Sequence, residues 1–347
     1  MDNKVAIGDI RVMISDFLIK HAFSKVAVLV DENTEKHCLP LVNKSIDDFD
    51  IIKIESGEEN KNLTTCQHIW QSLTDNGYDR HALLINLGGG VIGDMGGFCA
   101  STYKRGIAFM NIPTTLLSMV DASVGGKLGV DFGTYKNHIG LFQIPNQVCI
   151  DATFLETLPE KELRSGFAEV IKHALITEGN DWNNIVSSSF ESMEWSTVID
   201  KSVAIKSKIV AKDFKESGLR KILNFGHTIG HAIESYFLEQ GVDQKILHGE
   251  AVAIGMICEL YLSCKKLNFD QADFDKIVAY IIKTYGLIDI PESGYSMIIS
   301  LCGQDKKNAG NKIQAVLLKS IGIPITDSEI DSEEILDAIS YYSKLNI

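Results

Sequence analysis

Apolar positions in the first 150 residues fall into short runs that end at glycine or at polar turns. These runs are rich in β-branched side chains and cover residues 25–30, 51–56, 81–87, 107–113 and 147–151. Stretches with helical spacing, such as residues 61–76, lie between several of them. Strands that alternate with helices in this way predict an α/β domain with a largely parallel sheet.

A period of three to four residues dominates after residue 155. The stretches with this spacing are residues 160–178, 196–213, 227–240, 248–267, 271–285 and 331–344. Such spacing predicts a mostly α-helical second half. A chain of 347 residues is long enough for two cores. We therefore expect an α/β domain over residues 1–155 and a mostly helical domain over residues 156–347.

Composition and charge narrow the class of protein. Apolar residues make up 45% and charged residues 23%, which is typical of a globular protein, and the net charge of −13 disfavours nucleic acid as a partner. The apolar runs are short for a membrane span, and the first 20 residues lack the layout of a signal peptide. Seven cysteines without a CxxC pair favour reduced thiols and a cytoplasmic location.

A glycine-rich segment, "LINLGGGVIGDMGGF" (84–98), runs from a predicted strand into a predicted helix. Gly88, Gly90 and Gly93 fit the GxGxxG pattern, which brings backbone close to a pyrophosphate, although a tight strand-to-helix turn is the structural alternative. The next strand ends at "NIPTT" without an acidic residue for a ribose. Asp31 and the segment 56–61 offer such groups instead.

Charged residues interrupt a largely apolar stretch, "IPTTLLSMVDASVGGKLGVDFGTYKNHIGLF" (112–142). The charged residues Asp121, Lys127, Asp131 and Lys136 stand among glycines and small apolar side chains. Buried charges need partners, and glycines let backbone N–H groups face a ligand. A cradle for phosphate or carboxylate therefore fits this segment better than a surface loop does.

Three predicted helix segments of the second half carry acids and histidines in apolar surroundings. Glu169 and Lys172 lie within one turn of "LRSGFAEVIKHALI" (163–176). His227 and His231 are four residues apart and therefore share a helix face, and His248 stands at another helix start. Together these residues favour a metal site over isolated core histidines. The spacing alone leaves open whether His227 and His231 both bind the metal.

Together these segments resemble the 3-dehydroquinate synthase family of the sugar-phosphate cyclases. The matching motifs are "GGGVIGDMGGF", "IPTTLLSMVDASVGGK", "KN" (136–137), "FAEVIKH", "GLRKILNFGHTIGHAIE", "HGEAVAIGM" and "DKKN" (305–308), in the family's order. The resemblance implies tightly held NAD, one divalent metal (zinc or cobalt) and a homodimer. It also implies the shikimate pathway, which supplies chorismate and the aromatic amino acids.

The implied substrate is a sugar-acid phosphate, 3-deoxy-D-arabino-heptulosonate 7-phosphate. The implied reaction oxidises a ring hydroxyl, eliminates phosphate, reduces the ketone, opens the ring and closes a carbocycle by aldol addition. Its product is 3-dehydroquinate. Oxidation comes first because a ketone acidifies the adjacent C–H bond and so makes the loss of phosphate feasible.

The resemblance also assigns roles to residues of this chain. The implied metal ligands are Glu169, His227 and His248. Groups near the reacting carbons or the departing phosphate are Asp121, Lys127, Lys172 and His231. Polar contacts to the substrate are Arg105, Lys136, Asn137, Lys206, Arg220, Asn224 and Lys306. Contacts to NAD are Asp31, Asn33, Glu58, Lys61, Gly89, Gly90, Asp94, Thr114, Thr115 and Thr157.

Two of these roles are more specific. Lys206 and Arg220 match a carboxylate clamp, in which a guanidinium pairs with two oxygens. Arg105 matches an arginine that the family lends across a dimer interface.

The chain departs from the family pattern in two places. Tyr135 stands where a glycine usually precedes the lysine–asparagine pair. "GGKLGVD" replaces the commoner Gly-Gly-Lys-Thr-Ala-Ile-Asp. Either Lys306 or Lys307 matches the phosphate contact, and we assign Lys306.

Three other functions compete with this interpretation. A metal- and NAD-dependent polyol dehydrogenase has a related design but acts on an uncharged substrate, so it needs fewer cationic groups. A related cyclase would act on a sugar phosphate without a carboxylate. Arg220 and Lys206 favour an acid substrate instead. A cyclase-like protein without activity would be expected to have lost a ligand or a lysine.

Overall fold

A computed structural model describes residues 4–133, 135–241, 245–304 and 313–345. The chain forms two compact units. The first comprises Met1–Leu163 and Trp195–Ala211, and the second comprises Arg164–Glu194 and Lys212–Ile347. A single boundary at residue 155 would make each domain one continuous segment. The first unit instead also includes residues 195–211.

A six-stranded parallel sheet forms the core of the first unit. The strands of this unit are β1 (Val5–Ile7), β2 (Val26–Val30), β3 (Asp50–Lys53), β4 (Leu83–Gly88), β5 (Ala108–Pro113), β6 (Lys127–Phe132), β7 (Tyr135–Phe142) and β8 (Gln147–Ile150). The sheet order is β1-β8-β5-β4-β2-β3, and β6 and β7 form a separate antiparallel hairpin. Every residue of β4 is buried, as expected for a central parallel strand that is covered on both faces.

Helices account for most of the remaining elements. The described α-helices are α1 (Ile10–Lys20), α2 (Glu32–His37), α3 (Leu39–Val42), α4 (Leu63–Asp75), α5 (Gly90–Thr102), α6 (Glu160–Ile176), α7 (Asp181–Val186), α8 (Trp195–Lys212), α9 (His227–Glu239), α10 (His248–Leu267), α11 (Gln271–Tyr285), α12 (Tyr295–Gln304) and α13 (Ser332–Ser343). No described helix combines the length and the apolar character that a membrane crossing needs.

Helix α5 lies directly against the sheet because small residues line its inner face. A Cβ atom at Gly96 would overlap Asn86 Oδ1 and come within 2.8 Å of Leu29 Cδ2. Asn86 is itself buried and donates to Asn111 Oδ1 at 2.8 Å. This close approach packs the middle of α5 directly against β2 and β4.

Helix α10 is the centre of the second unit. It packs against α9, α11, α13 and β9 (Ile313–Ser320), which pairs antiparallel with β10 (Ile323–Ile330). Residues 251–260 of α10 are all buried, which is typical of a helix that is surrounded by other elements.

The predicted fold class is confirmed: an α/β first part carries a parallel sheet, and the second part is mostly helical. Helices α10 and α11 have the bounds that periodicity predicts. The hairpin β6–β7, the pair β9–β10 and helix α12 are absent from the sequence prediction. Glycines and charges in the hairpin hide its strands, because they interrupt the alternation that marks a half-buried strand.

We predict that Gly96→Ala destabilises the first unit. Its methyl group would overlap the buried Asn86 side chain, and overpacking of this kind costs about 1–3 kcal/mol in free energy of unfolding. Urea unfolding followed by circular dichroism measures the change.

The matched control is Gly303→Ala in α12, where an added Cβ meets no atom within 4 Å. Alanine in a helix is favoured over glycine by about 0.5–1 kcal/mol, so this variant should be unchanged or more stable. Equal unfolding curves for wild type and Gly96→Ala would contradict the close packing of α5.

Candidate active site

Several predicted cofactor residues collect at one edge of the parallel sheet. Strands β2, β4 and β5 are adjacent and parallel, so their carboxyl ends share this edge. Asp31 follows β2 and caps α2 by accepting from Asn33 N and Thr34 N at 2.9 and 2.8 Å. Thr114 follows β5, and its N–H donates to Gly88 O at 3.1 Å. In open α/β sheets, ligands bind at this edge.

The glycine turn between β4 and α5 provides an anion-binding helix start. Gly89 is the N-cap residue of α5 and offers no capping side chain. An added Cβ at Gly89 would lie 3.2 Å from Thr115 Cγ2, so the turn leaves little room for a larger residue. The first N–H groups of a helix and its dipole favour negative charge. A pyrophosphate suits this position.

Lys61 connects two parts of the predicted site within the first unit. Its Nζ donates to Asp94 Oδ2 at 2.7 Å and to Asn137 Oδ1 at 2.6 Å. Burial alone would lower the pKa of Lys61, but the carboxylates of Asp94 and Glu58 outweigh burial and raise it. A charged Lys61, itself a predicted cofactor residue, therefore joins the predicted cofactor residue Asp94 to the predicted substrate residue Asn137.

The β6–β7 hairpin is fixed to the same region. The Asn137 N–H donates to Asp131 Oδ1 at 2.7 Å, and the Asp131 N–H donates to Lys61 O at 2.8 Å. Asn137 has a φ of 50°, a left-handed conformation that asparagine tolerates better than most residues. The departure Tyr135 lies on the exposed side of β7, with its ring centroid 5.3 Å from that of His138.

Asp121 and Lys206 form a partly buried ion pair in the first unit. Asp121 lies in a π-helical turn, Ser118–Ala122, and its Oδ1 lies 2.7 Å from Lys206 Nζ. Lys206 Nζ also donates to the backbone oxygen of Asp121 at 2.5 Å. Lys206, assigned by resemblance to the substrate carboxylate, thus contacts a residue assigned to the reacting carbons.

The second unit gathers three of the predicted metal-site residues. Glu169 lies on α6 and is fully buried, whereas His227 and His248 are the first residues of α9 and α10. Glu169 Oε1 lies 3.4 Å from His227 Nε2 and 3.5 Å from His248 Nε2. Lys172 Nζ forms an ion pair with the other oxygen of Glu169.

Charge distributes unevenly over this cluster. Burial would raise the pKa of Glu169, but Lys172 and then His227 hold it well below the ordinary value, so the carboxylate is ionised. Burial, reinforced by Lys172, lowers the pKa of His227 to about 4. Burial also opposes protonation of His248, but Glu234 and Glu169 outweigh it and raise its pKa to about 10.

The outer nitrogens of both imidazoles have acceptors. His227 Nδ1 lies 3.1 Å from Phe225 O, and His248 Nδ1 lies 3.2 Å from Glu234 Oε2. A metal-binding histidine usually donates its outer N–H to such an acceptor, and its other nitrogen must be deprotonated to offer a lone pair to the metal. Glu234 is a site residue that sequence reasoning missed, although it lies within "GHAIE".

The donor set fits a divalent metal such as zinc. Among the described residues, neither oxygen of Glu169 accepts a hydrogen bond of ordinary geometry, despite complete burial. Ligand atoms about 2.1 Å from a tetrahedral ion lie roughly 3.4 Å apart. The two separations of 3.4 and 3.5 Å agree with that spacing. One carboxylate and two imidazoles are also a ligand set of catalytic zinc sites.

His231 lies close to the same cluster. Its ring centroid is 4.9 Å from that of His227 and 5.7 Å from that of His248. Ligand atoms of the three histidines lie within 4.8 Å of one another. Proximity therefore allows His231 either a place at the metal or a place beside it.

Arg220 is held by the segment that precedes it in the second unit. Its side chain is buried, and Nη1 donates to Phe214 O at 2.6 Å. Asp213 accepts from the Arg220 N–H at 3.0 Å, and the pKa of Asp213 is lowered by this and neighbouring backbone N–H groups. Asn224 donates to Glu216 Oε1 at 2.9 Å. Asp213 and Glu216 are further residues that the sequence prediction missed.

The other predicted residues are less tightly placed. Arg105 is exposed and has a φ of 68°, which is uncommon outside glycine. Lys127 and Thr157 are exposed, and Lys136 is half-buried. Glu58 begins a 3-10 turn before Lys61, and Thr115 Oγ1 lies 2.9 Å from Ser118 Oγ. Gly90 begins α5. Lys306 and Lys307 lie outside the described residues.

Solved structures with a similar fold include sugar-phosphate cyclases. A 2-deoxy-scyllo-inosose synthase complexed with carbaglucose-6-phosphate, NAD+ and Co2+ is 24% identical, with a TM-score of 0.83 over 97% of this chain and 96% of the other. A 2-epi-5-epi-valiolone synthase from Streptomyces hygroscopicus with NAD+ and Zn2+ bound is 23% identical, with a TM-score of 0.85 over 98% and 96%. A glycerol dehydrogenase from Schizosaccharomyces pombe has a lower TM-score of 0.68 at 16% identity, over 98% and 88%.

Sequence comparison is more specific than fold similarity. The family model for the 3-dehydroquinate synthase N-terminal region matches residues 51–165, and the model for its C-terminal region matches residues 166–308. A 3-dehydroquinate synthase of Parabacteroides distasonis is 41% identical over 98% of each chain. Another, from Leptospira interrogans, is 42% identical over 83% of this chain and 80% of the relative. The chain therefore belongs to the 3-dehydroquinate synthase family of phosphate-eliminating cyclases.

Proposed function

We propose that this enzyme converts 3-deoxy-D-arabino-heptulosonate 7-phosphate to 3-dehydroquinate and phosphate. The observation that carries the proposal is 41% identity to a 3-dehydroquinate synthase over 98% of both chains. The reaction belongs to the shikimate pathway, which leads to chorismate and the aromatic amino acids. The acidic chain and its seven free thiols are compatible with the cytoplasm as its location.

The first unit is proposed to hold NAD at the carboxyl edge of its sheet. Asp31 is proposed to bind a ribose hydroxyl, and the Gly89 turn at the start of α5 is proposed to bind the pyrophosphate. Lys61 and Asp94 supply a buried ion pair at the same edge. The two cyclase structures that contain NAD+ have folds similar to this one.

The second unit is proposed to hold one divalent metal through Glu169, His227 and His248. The separations among their donor atoms and the lack of ordinary hydrogen bonds to Glu169 among the described residues support this ligand set. When bound, NAD accepts and later returns a hydride, and the metal polarises the hydroxyl group that is oxidised.

Residues of this chain position the substrate and handle its charges. Lys172 and the Asp121–Lys206 pair are proposed to lie near the reacting carbons, where buried charges stabilise developing enolate character. Lys127 and His231 are proposed to stabilise the departing phosphate, because a cation or a protonatable imidazole attracts a dianion. Further substrate contacts are proposed for Lys136, Asn137, Asn224 and Lys306.

The substrate carboxylate is proposed to bind Arg220, with Lys206 as a second cation. A guanidinium presents two parallel N–H donors that suit a carboxylate. Arg220 is buried and is held by Phe214 O and Asp213, so its position is fixed before the substrate arrives. Preorganisation of this kind reduces the entropy lost on binding.

The quaternary structure is proposed to be a homodimer in which each site borrows Arg105 from the partner. Arg105 is exposed, and its left-handed backbone directly follows another residue with positive φ, Lys104. Strained conformations of this kind concentrate at functional positions. The proposal otherwise rests on the family resemblance.

Turnover should require NAD only in catalytic amounts. The hydride removed early is returned later, so phosphate and dehydroquinate should form in equal amounts without net accumulation of NADH. Incubation of the purified protein with the heptulosonate phosphate and substoichiometric NAD, with assays for all three, measures this. Stoichiometric NADH would instead indicate a dehydrogenase, and release of phosphate from a carboxylate-free sugar phosphate alone would indicate another cyclase.

The two histidines of α9 should behave differently when each is replaced by alanine. His227→Ala should lose both its stoichiometric metal and its activity, because it removes a ligand. His231→Ala should keep its metal but turn over more slowly and bind phosphate more weakly, since a third imidazole would occupy a position needed by substrate oxygens. Metal content of the two purified variants distinguishes them. A folded but metal-free His231→Ala protein would show that this division of roles is wrong.

Arg220→Ala should reduce selectivity for the acid substrate over a carboxylate-free sugar phosphate. Loss of a charged bidentate contact costs about 2–4 kcal/mol, which is roughly 30- to 1000-fold in kcat/KM. Arg220→Lys retains a positive charge but not the two parallel N–H donors of the guanidinium, so its loss of selectivity should be smaller.

The control is Lys221→Ala, which removes the neighbouring cation. Lys221 Nζ pairs with Asp327 Oδ1 at 2.8 Å near the surface, so kcat/KM should change little. If selectivity is unchanged in both Arg220 variants, the carboxylate is recognised by other residues.

A further inference from the structure

A buried carboxylate caps the helix that begins with His227. Glu259 lies on α10 and is fully buried. Its Oε2 accepts from Gly226 N at 2.6 Å, and its Oε1 accepts from Thr228 N at 3.1 Å and Ile229 N at 3.4 Å. Backbone N–H groups on both sides of His227 therefore donate hydrogen bonds to one carboxylate.

Helix α9 has no capping side chain of its own. Its N-cap residue is Gly226, which has a φ of 79°. Ser, Thr, Asp or Asn usually accepts the first free N–H groups of a helix from this position. Here Glu259 of the neighbouring helix takes that role, and the positive end of the α9 dipole offsets part of the cost of burying its charge.

Close backbone contacts explain why Gly226 cannot be replaced by a capping residue. An added Cβ at Gly226 would lie 2.5 Å from Met256 Cγ and 3.1 Å from Val252 O. A Cβ at Gly255 would overlap Gly226 O, and one at Gly230 would lie 2.9 Å from Ala251 O. The start of α9 thus lies directly on the backbone of α10, where the Glu259 side chain of α10 reaches its N–H groups.

We propose that Glu259 is a positioning residue for the metal site, which it serves by fixing the orientation of the α9 start. His248 and Glu259 share α10, so the helix that carries one ligand also determines where the other, His227, lies relative to Glu169. This inference rests on the metal site proposed above. A shift of the first turn of α9 by less than 1 Å would spoil a ligand geometry that tolerates only about 0.2 Å.

Glu259→Gln should weaken metal binding without removing a ligand. The amide has one acceptor oxygen, so its NH2 group would face a backbone N–H of α9. Loss of an outer contact of a metal ligand typically lowers affinity by about 10- to 100-fold. Competition with a chromophoric chelator measures the Zn2+ dissociation constant, and the visible spectrum of the Co2+-loaded protein reports ligand geometry. Activity should recover as Zn2+ is raised.

A second variant and a matched control separate positioning from general stability. Glu259→Asp keeps the charge but shortens the side chain by one methylene group, which moves the carboxylate away from the N–H groups of α9. It should therefore weaken Zn2+ binding as well. Asp331→Ala removes the carboxylate that caps α13 by accepting from Glu334 N at 2.9 Å. It should lower the free energy of unfolding by about 1 kcal/mol and leave the Zn2+ dissociation constant unchanged.

Hydrogen exchange in the metal-free wild type tests the contact without any variant. The amides of Gly226, Thr228 and Ile229 should exchange as slowly as interior helix amides, although first-turn amides usually exchange quickly. Fast exchange at these three amides would overturn the inference even if neither Glu259 variant folds.

The metal measurements distinguish two kinds of failure. Wild-type protein that binds no stoichiometric Zn2+ overturns the proposed metal site and this inference with it. Wild-type protein that binds Zn2+, together with Glu259 variants of unchanged affinity and unchanged Co2+ spectrum, overturns the role of Glu259 alone.

Discussion

Direct backbone contact between helices is the constraint on which the metal cluster depends. A side chain at Gly249 would overlap Ser165 O, and one at Gly255 would overlap Gly226 O. The first contact holds the start of α10 against α6, and the second holds α10, two turns further on, against the start of α9. Because Glu169, His227 and His248 lie within about one turn of these contacts, rigid helices rather than loops set the distances among their donor atoms.

Burial without full hydrogen bonding distinguishes this cluster among the described residues. A buried carboxylate usually lies against several donors, whereas Glu169 has the Lys172 ammonium on one oxygen and two imidazoles near the other. The first unit treats its charges differently, since Lys61 and Lys206 each have a carboxylate and a neutral oxygen as partners. Among the described residues, the second unit therefore keeps a buried carboxylate without ordinary hydrogen bonds, and the first unit keeps paired charges.

The sequence predicted the fold better than it predicted the contacts. Helix α10 was located to the residue because a long apolar stretch follows His248, and Glu250 reaches back to the Leu247 N–H at 2.6 Å. Hairpin β6–β7 was missed because its residues pair with one another and with Lys61, more than 60 residues earlier in the chain. Glu259 has no local signal at all: it is one acid in a helix, and only the packing of α9 against α10 gives it a role.

The membership of α8 in the first unit has a consequence for the order in which the chain becomes structured. Residues 195–211 follow α6 and α7, which belong to the second unit, yet the buried Lys206 of α8 pairs with Asp121. On the ribosome the first unit therefore lacks one of its helices until part of the second has already emerged. The first unit is therefore completed only after synthesis of the second has begun, and a single cut of the gene cannot separate the two units for exchange between relatives, because the polypeptide crosses between them more than once.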